Sequence, residues 1–183
     1  MARKYVFWNQ QDLYFVTFTV VNWIDIFTRD DYRLIFTDSV KHCQQHKGLD
    51  IYAWVIMTNH VHMIIGRNAT NELSDIIRDL KSFTSRHIRI AIEDNPAESR
   101  RQWLLRQFYR EGIRNPRNND FQLWIQDNHP IVLDSEEKLF QRLNYLHNNP
   151  VKAGFVSEPQ HWKWSSAGDY CGFPGLIETI LIE

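Results

Sequence analysis

Two histidines are the residues of this sequence whose type and spacing most clearly suggest chemistry. His60 and His62 are separated by one valine in the run Met-Thr-Asn-His-Val-His-Met-Ile-Ile-Gly, residues 57–66. Side chains of a β-strand alternate between its faces, so both imidazoles would project from one face and the intervening apolar residues from the other. Two imidazoles on one face can bind a metal ion, or they can be polar residues of a solvent-facing strand. The spacing leaves both alternatives open, and a catalytic metal would need a third ligand and an open position.

A second candidate set lies in the run Asn-Tyr-Leu-His-Asn-Asn-Pro-Val-Lys-Ala-Gly-Phe-Val, residues 144–156. Tyr145 and Asn149 are four residues apart, which places them one turn apart on one face of a predicted helix. The amide oxygen of Asn149 is a hard ligand of the kind that Mg²⁺ or Mn²⁺ accepts. Taken alone, the spacing favours a structural alternative, in which Tyr145 packs against a sheet and Asn149 ends the helix before Pro150.

Basic and aromatic residues are interleaved between residues 78 and 117. This segment holds ten basic and five acidic residues, a surplus of five positive charges in a chain of net charge -1. Guanidinium groups pair with phosphates and aromatic rings stack on bases, so this composition is typical of single-stranded DNA-binding surfaces. An ordinary solvated surface is the alternative. The candidate DNA-binding residues are Arg78, Lys81, Arg86, Arg89, Arg101, Arg106 and Arg110.

The composition predicts a single globular domain over residues 1–183. A net charge of -1 excludes a general polycation, so any contact with nucleic acid must use a local patch. Two cysteines, far apart in sequence, predict neither a disulfide framework nor a cysteine metal site and favour a reducing compartment. No apolar run reaches the core of a signal peptide or the ~18 residues of a membrane span, so we predict a cytoplasmic protein with no membrane partner.

Hydrophobic periodicity predicts the elements that position these residues. Strands are predicted at 13–21, 50–57, 60–66 and, with an interruption, within 121–133, and helices at 30–47, 71–92 and 135–148. This β-α-β-β-α-β order is that of a ferredoxin-like α+β fold, with a mainly antiparallel sheet and helices on one face. Residues 94–120 lack clean periodicity and contain two prolines, so we predict an inserted arm there.

Three segments together resemble the single-tyrosine HUH transposases, and in particular the REP-associated tyrosine transposases. They are Ala-Trp-Val-Ile-Met-Thr-Asn-His-Val-His at 53–62, the run at 145–156, and Trp-Lys-Trp-Ser-Ser at 162–166. The resemblance implies a ferredoxin-like core in which Tyr145 is the nucleophile. It also implies that Mg²⁺ or Mn²⁺ is bound by His60, His62 and, at the position of a third polar ligand, Asn149.

The same resemblance implies an enzyme that nicks and rejoins single-stranded or hairpin DNA through a 5′-phosphotyrosine intermediate. Two alternatives stay open. One is a non-catalytic DNA-binding domain derived from such an enzyme, and the other is a nickase of the replication-initiator type. The sequence also leaves open the choice between a monomer and a homodimer.

Overall fold

The core of the molecule is a four-stranded antiparallel sheet. The computed structural model describes residues 7–116, 120–128 and 130–182. Its strands are β1 (Tyr14–Thr19), β2 (Leu49–Ile56), β3 (His60–Arg67) and β4 (Ile131–Val132). The strand order is β2-β3-β1-β4, and each neighbouring pair is antiparallel. The predicted α+β fold with an antiparallel sheet is confirmed, and β3 and β1 are its central strands.

Helices connect these strands at the predicted places. In the described residues they are α1 (Asp30–Lys47), α2 (Leu73–Asp94), α3 (Arg101–Arg114), α4 (Glu136–His147) and the one-turn α5 (Asn149–Lys152). α1 ends at Gly48, whose φ of +69° favours glycine, and a Cβ there would lie 2.2 Å from the Cβ of Ala69. α4 begins where the Ser135 hydroxyl accepts a hydrogen bond from the Lys138 N–H. Among the described helices, none is long and apolar enough to cross a membrane.

Apolar side chains alternate across the sheet and build a core on each face. On one face, Phe18 of β1 packs with α1 and α2. On the other, Phe15 of β1 packs in a cluster with Leu143 and Leu146 of α4. The prediction of helices on one face only was therefore wrong. Burying a leucine side chain is worth roughly 1.5–3 kcal/mol, and the apolar side of α4 obtains that burial on the second face.

Residues 94–120, predicted as an inserted arm, contain α3. This helix packs along α2 and buries Leu104 and Phe108, which are four residues apart on one face. Gly112 lies against the backbone of Asp120, where a Cβ would be 2.4 Å from the carbonyl carbon. The described part of this segment, residues 94–116 and 120, is thus part of the folded core, and the apolar stripe of α3 is too short for periodicity to indicate it.

Within 121–133, where an interrupted strand was predicted, the described residues form the two-residue strand β4. A lysine of α2 contacts oxygen atoms of the segment that precedes β4. Lys81 Nζ donates to the carbonyls of Ile125 (2.6 Å) and Gln126 (3.1 Å) and to Asn128 Oδ1 (2.7 Å). Burial lowers the pKa of this ammonium group to about 8. Lys81 therefore holds a loop in place and, contrary to its prediction as a DNA-binding residue, does not present its charge at the surface.

A buried carboxylate fixes the loop between α2 and α3. The Glu98 side chain is fully buried and pairs with Arg29 at 3.0 Å and Arg100 at 3.3 Å. It also accepts a 3.0 Å hydrogen bond from the hydroxyl of Tyr32 in α1. Burial alone would raise the pKa of Glu98, but the hydrogen bonds from Arg100 and Tyr32 hold it below its usual value. This network ties the start of α3 to the start of α1.

Replacing Glu98 with glutamine should destabilise the fold by about 2–3 kcal/mol, because two guanidinium groups lose a buried counter-charge. Since the folded-state pKa of Glu98 is lowered, its stabilisation is complete above the ordinary glutamate pKa of roughly 4.3 and is lost as the pH falls further. Denaturant unfolding at neutral and acidic pH measures both effects, with the half-exposed Glu93→Gln as control. Equal unfolding free energies of wild type and Glu98→Gln at neutral pH would contradict this role.

Candidate active site

β3 presents the two histidines on the sheet face that α4 covers. In the antiparallel register, His60 lies opposite Thr19 of β1 and His62 lies opposite Thr17. The ring centroids of the two imidazoles are 4.7 Å apart. Val61, between them, belongs to the core of the opposite face. The strand alternation expected from the sequence thus places both imidazoles side by side.

Hydrogen bonds hold the Nδ1 atom of each imidazole. His60 Nδ1 is 2.7 Å from Asn59 Oδ1, and Asn59 Nδ2 donates to Asp25 Oδ1 at 2.9 Å. Because a carboxylate only accepts, Asn59 turns its carbonyl oxygen to His60, and His60 Nδ1 carries the proton. His62 Nδ1 is 2.8 Å from Thr17 Oγ1, a hydroxyl that can accept in the same way. Histidines that bind metals through Nε2 are commonly held by such Nδ1 contacts.

Burial keeps both imidazoles neutral. It lowers the pKa of His60, against the opposing effect of a side-chain hydrogen bond to Asn149. It lowers the pKa of His62 to about 3, assisted by the repulsion that two protonated imidazoles would have and by the positive charge of Arg142. A histidine must be neutral to bind a metal ion. The pair is therefore in its metal-binding form at neutral pH.

α4 places Tyr145 beside the histidine pair within the same chain. The ring centroid of Tyr145 is 5.4 Å from that of His62 and 6.0 Å from that of Phe15. Leu146, the next residue, is fully buried in the core beneath, which fixes this face of α4 against the sheet. Tyr145 itself keeps 38% of its surface exposed, so a large substrate can approach it from solvent.

Asn149 lies where α4 gives way to α5. Its Nδ2 donates to the Tyr145 carbonyl at 3.0 Å, and its side chain is close enough to His60 to raise the pKa of that imidazole. Pro150 takes a first-turn position in α5, where proline is well tolerated, so helical backbone continues beyond the predicted end. The four residues predicted for chemistry thus meet in one place. Among residues 7–116, 120–128 and 130–182, no three His, Cys, Asp or Glu side chains are grouped so that they could hold a metal ion.

Two cations flank Tyr145, although nothing in the charge pattern singled them out. The Arg142 guanidinium carbon is 5.9 Å from the Tyr145 ring centroid, and Lys152 Nζ is 5.6 Å from it. Neither forms an ion pair within residues 7–116, 120–128 and 130–182. Positions 142, 145, 149 and 152 are spaced three or four residues apart across α4 and α5, and that spacing is the signal from which they could have been predicted.

The other candidate DNA-binding residues divide into two groups. Three already have partners: Arg78, Arg89 and Arg101. Three are exposed and form no ion pair with any described residue: Arg86, Arg106 and Arg110. Arg86 belongs to α2, which packs on the sheet face opposite the histidines, whereas the other two lie on the exposed side of α3. The structure does not gather these cations around the histidine pair.

Fold and site together define an α+β protein that carries a histidine pair and a tyrosine on one sheet face. The family model described as "Transposase IS200 like" matches residues 11–112, more than half of the chain. The chain therefore belongs to the IS200-like transposase family and is a transposase, an enzyme that cleaves DNA. The matched residues include both histidines and end before α4.

Two solved structures are similar to this one. The structure of a REP-associated tyrosine transposase bound to a REP hairpin has a TM-score of 0.65 at 15% identity, covering 98% of this chain and 92% of that one. A candidate transposase from Deinococcus radiodurans has a TM-score of 0.46 at 18% identity, covering 81% and 95%. At such identity the first likeness shows the fold alone. Among curated proteins no sequence matches.

Proposed function

We propose that this transposase nicks and rejoins single-stranded or hairpin DNA through a covalent link to Tyr145. The observation that supports this most is the position of the Tyr145 ring, 5.4 Å from His62 and on the sheet face that carries both histidines. A nucleophile beside two neutral imidazoles suits metal-assisted attack on a phosphodiester. The REP-associated relative was solved with a hairpin, which supports hairpin DNA as the substrate class.

The proposal includes Mg²⁺ or Mn²⁺ bound by His60, His62 and Asn149. These residues fit such an ion, because both imidazoles are neutral, His60 Nδ1 carries the proton, and Asn149 adds an amide. Three uncharged ligands leave the charge of the ion uncompensated, which suits an anionic substrate. A bound ion would polarise the scissile phosphate and neutralise charge that develops on its oxygens.

In the proposed step the Tyr145 hydroxyl oxygen attacks phosphorus, and the bond from phosphorus to the 3′-oxygen breaks. The phenolic proton is released, and the departing 3′-oxygen takes up a proton to become a free hydroxyl. The DNA is left joined to Tyr145 through its 5′-phosphate. One phosphoester has replaced another of similar energy, so a 3′-hydroxyl can attack the phosphotyrosine and rejoin the strand without ATP.

Arg142 and Lys152 would stabilise the phosphate that approaches Tyr145. Replacing either with alanine should slow covalent attachment by roughly 10–100-fold, because one positive charge beside the reacting group is lost. DNA binding should also become less dependent on salt. Lys138→Ala is the matched control, since Lys138 pairs with Asp134 at 2.6 Å on the exposed side of α4. Attachment at the wild-type rate in both variants would exclude this role.

A covalent adduct is the direct test of the proposed function. The protein is incubated with end-labelled hairpin oligonucleotides that carry randomised single-stranded flanks, with Mn²⁺ or with EDTA, and the products are separated under denaturing conditions. We expect a 3′-label to migrate with the protein and a 5′-label to be released, in Mn²⁺ only. Hairpin binding with no adduct in any divalent ion would instead indicate a non-catalytic DNA-binding domain.

A further inference from the structure

An open cavity of about 480 Å³ lies between the turn Val21–Trp23 and α3, and its Trp23 wall contacts His60. Its walls include Trp23 and Asn22 on one side and Trp103 and Gln107 on the other. Its volume is within the range of small-molecule sites. Both indoles are exposed for residues of their size, with 61% of Trp23 and 42% of Trp103 open to solvent. Large aromatic surfaces left open at a concave site indicate a ligand that stacks.

The first wall is joined directly to the candidate active site. The Trp23 ring centroid is 5.9 Å from that of His60. Asn22 and Trp23 have φ values of 56° and 55°, a left-handed conformation that is unfavourable for two consecutive residues other than glycine. Asp25, also in the wall, accepts from Asn59, whose carbonyl oxygen faces His60 Nδ1. Contacts from Asp25 through Asn59 to His60 thus connect the turn that exposes the Trp23 indole to the histidine pair.

The second wall is fixed to the first by the buried Glu98 network. Arg100 donates to the Asp25 carbonyl at 2.8 Å and to the Thr28 hydroxyl at 3.1 Å. Trp103 and Gln107 lie three and seven residues after Arg100, so both come from the adjacent turns of α3. The open cavity therefore lies between two elements that are anchored to each other.

We propose that this cavity binds one unpaired nucleobase of the DNA strand next to the scissile phosphate. This inference rests on the proposed function. An indole stacks on any base, and the amides of Asn22 and Gln107 offer donors and acceptors to its edge. The Arg100 guanidinium is already bonded and Asp25 adds a carboxylate, so the cavity suits a neutral base better than a phosphate.

The adjoining face of α3 provides a path for the backbone of the same strand. Arg106 and Arg110 lie three and seven residues after Trp103 on the exposed side of α3 and form no ion pair with any described residue. Phosphates on either side of the stacked base can contact these guanidinium groups. The α3 segment would then contribute to substrate binding as well as to the core.

Binding of labelled hairpins with and without a single-stranded flank, measured in EDTA, tests this site independently of cleavage. Trp103→Leu should weaken binding of the flanked hairpin about 10-fold or more and leave the blunt hairpin unchanged, whereas Trp103→Phe should retain most of the affinity. Trp8→Ala is the control, since Trp8 is 81% exposed and does not line the cavity.

Abasic substitution along the flank supplies a second measurement. An abasic site at one position of the flank should weaken binding by the wild type strongly. The same abasic site should have no effect on binding by Trp103→Leu or by Trp23→Leu. The nucleobase site is overturned if both variants bind flanked hairpins like wild type, or if wild type does not distinguish flanked from blunt hairpins. A tryptophan-dependent flank effect with no adduct in Mn²⁺ would support this site while contradicting the proposed nicking activity.

Discussion

Replacing Tyr145 with phenylalanine is expected to abolish the covalent adduct, lowering its rate of formation by at least about 1,000-fold. The phenolic oxygen is the atom that would form the new bond to phosphorus, and the ring alone cannot substitute for it. The hydroxyl makes no side-chain hydrogen bond to a described residue, and the ring is partly exposed, so the variant should fold like wild type. Denaturing gel analysis with end-labelled DNA measures the effect.

The matched control is Tyr109→Phe, which removes a hydroxyl that contacts Glu93 on α2, away from the histidine pair. This variant should form the adduct at the wild-type rate. DNA binding should survive in both variants, since the tyrosine oxygen is needed for chemistry rather than for affinity. An adduct that forms equally well in Tyr145→Phe would show that another residue is the nucleophile.

Replacing His62 with alanine is expected to weaken Mn²⁺ binding by at least about 10-fold and to slow adduct formation by about 100-fold or more. The variant loses one of the two proposed imidazole ligands and leaves the Thr17 hydroxyl without the His62 Nδ1 contact. Isothermal titration with Mn²⁺ measures binding without any DNA. His42→Ala, an exposed substitution on α1, is the control and should bind Mn²⁺ like wild type.

Because His62 is buried, His62→Ala can lose function through misfolding as well as through loss of the proposed metal ligand. Thr17→Val separates these two causes. Valine keeps the shape of the strand and the imidazole, and it removes only the hydroxyl that contacts His62 Nδ1. Loss of such a supporting contact typically costs 10–100-fold in metal affinity or activity. Unchanged Mn²⁺ affinity in folded His62→Ala would contradict the assignment of the metal site.

Local periodicity was sufficient to predict how the site residues are presented. The alternation of side chains along β3 places His60 and His62 on the same face of the sheet. The four-residue spacing of Tyr145 and Asn149 places these two residues one helical turn apart. What brings the two faces together is the packing of α4 on the second side of the sheet. Leu143 of α4 packs against strand residues that are far away in sequence, and local periodicity does not indicate such partners. The expectation that all helices cover one face of the sheet was therefore wrong.

Charge counting was a poorer guide, because the partners of a cation are not visible in the sequence. Lys81 was expected at a DNA surface, but three oxygen atoms from a distant loop surround it. Arg142 and Lys152 stand alone in the sequence and lie beside Tyr145 only after the helix forms. The exposed position of Trp23 depends on a positive φ at Trp23 itself, which a bulky residue does not favour.

Mass spectrometry of the protein after reaction with hairpin DNA and Mn²⁺, followed by nuclease and protease digestion, identifies the residue that carries the DNA. We expect one modified peptide, with a 5′-linked nucleotide on the oxygen of Tyr145, and none when EDTA replaces the metal. A nucleotide attached to any other residue, or an unmodified Tyr145 peptide from protein that has cleaved its DNA, would contradict the proposed role of Tyr145.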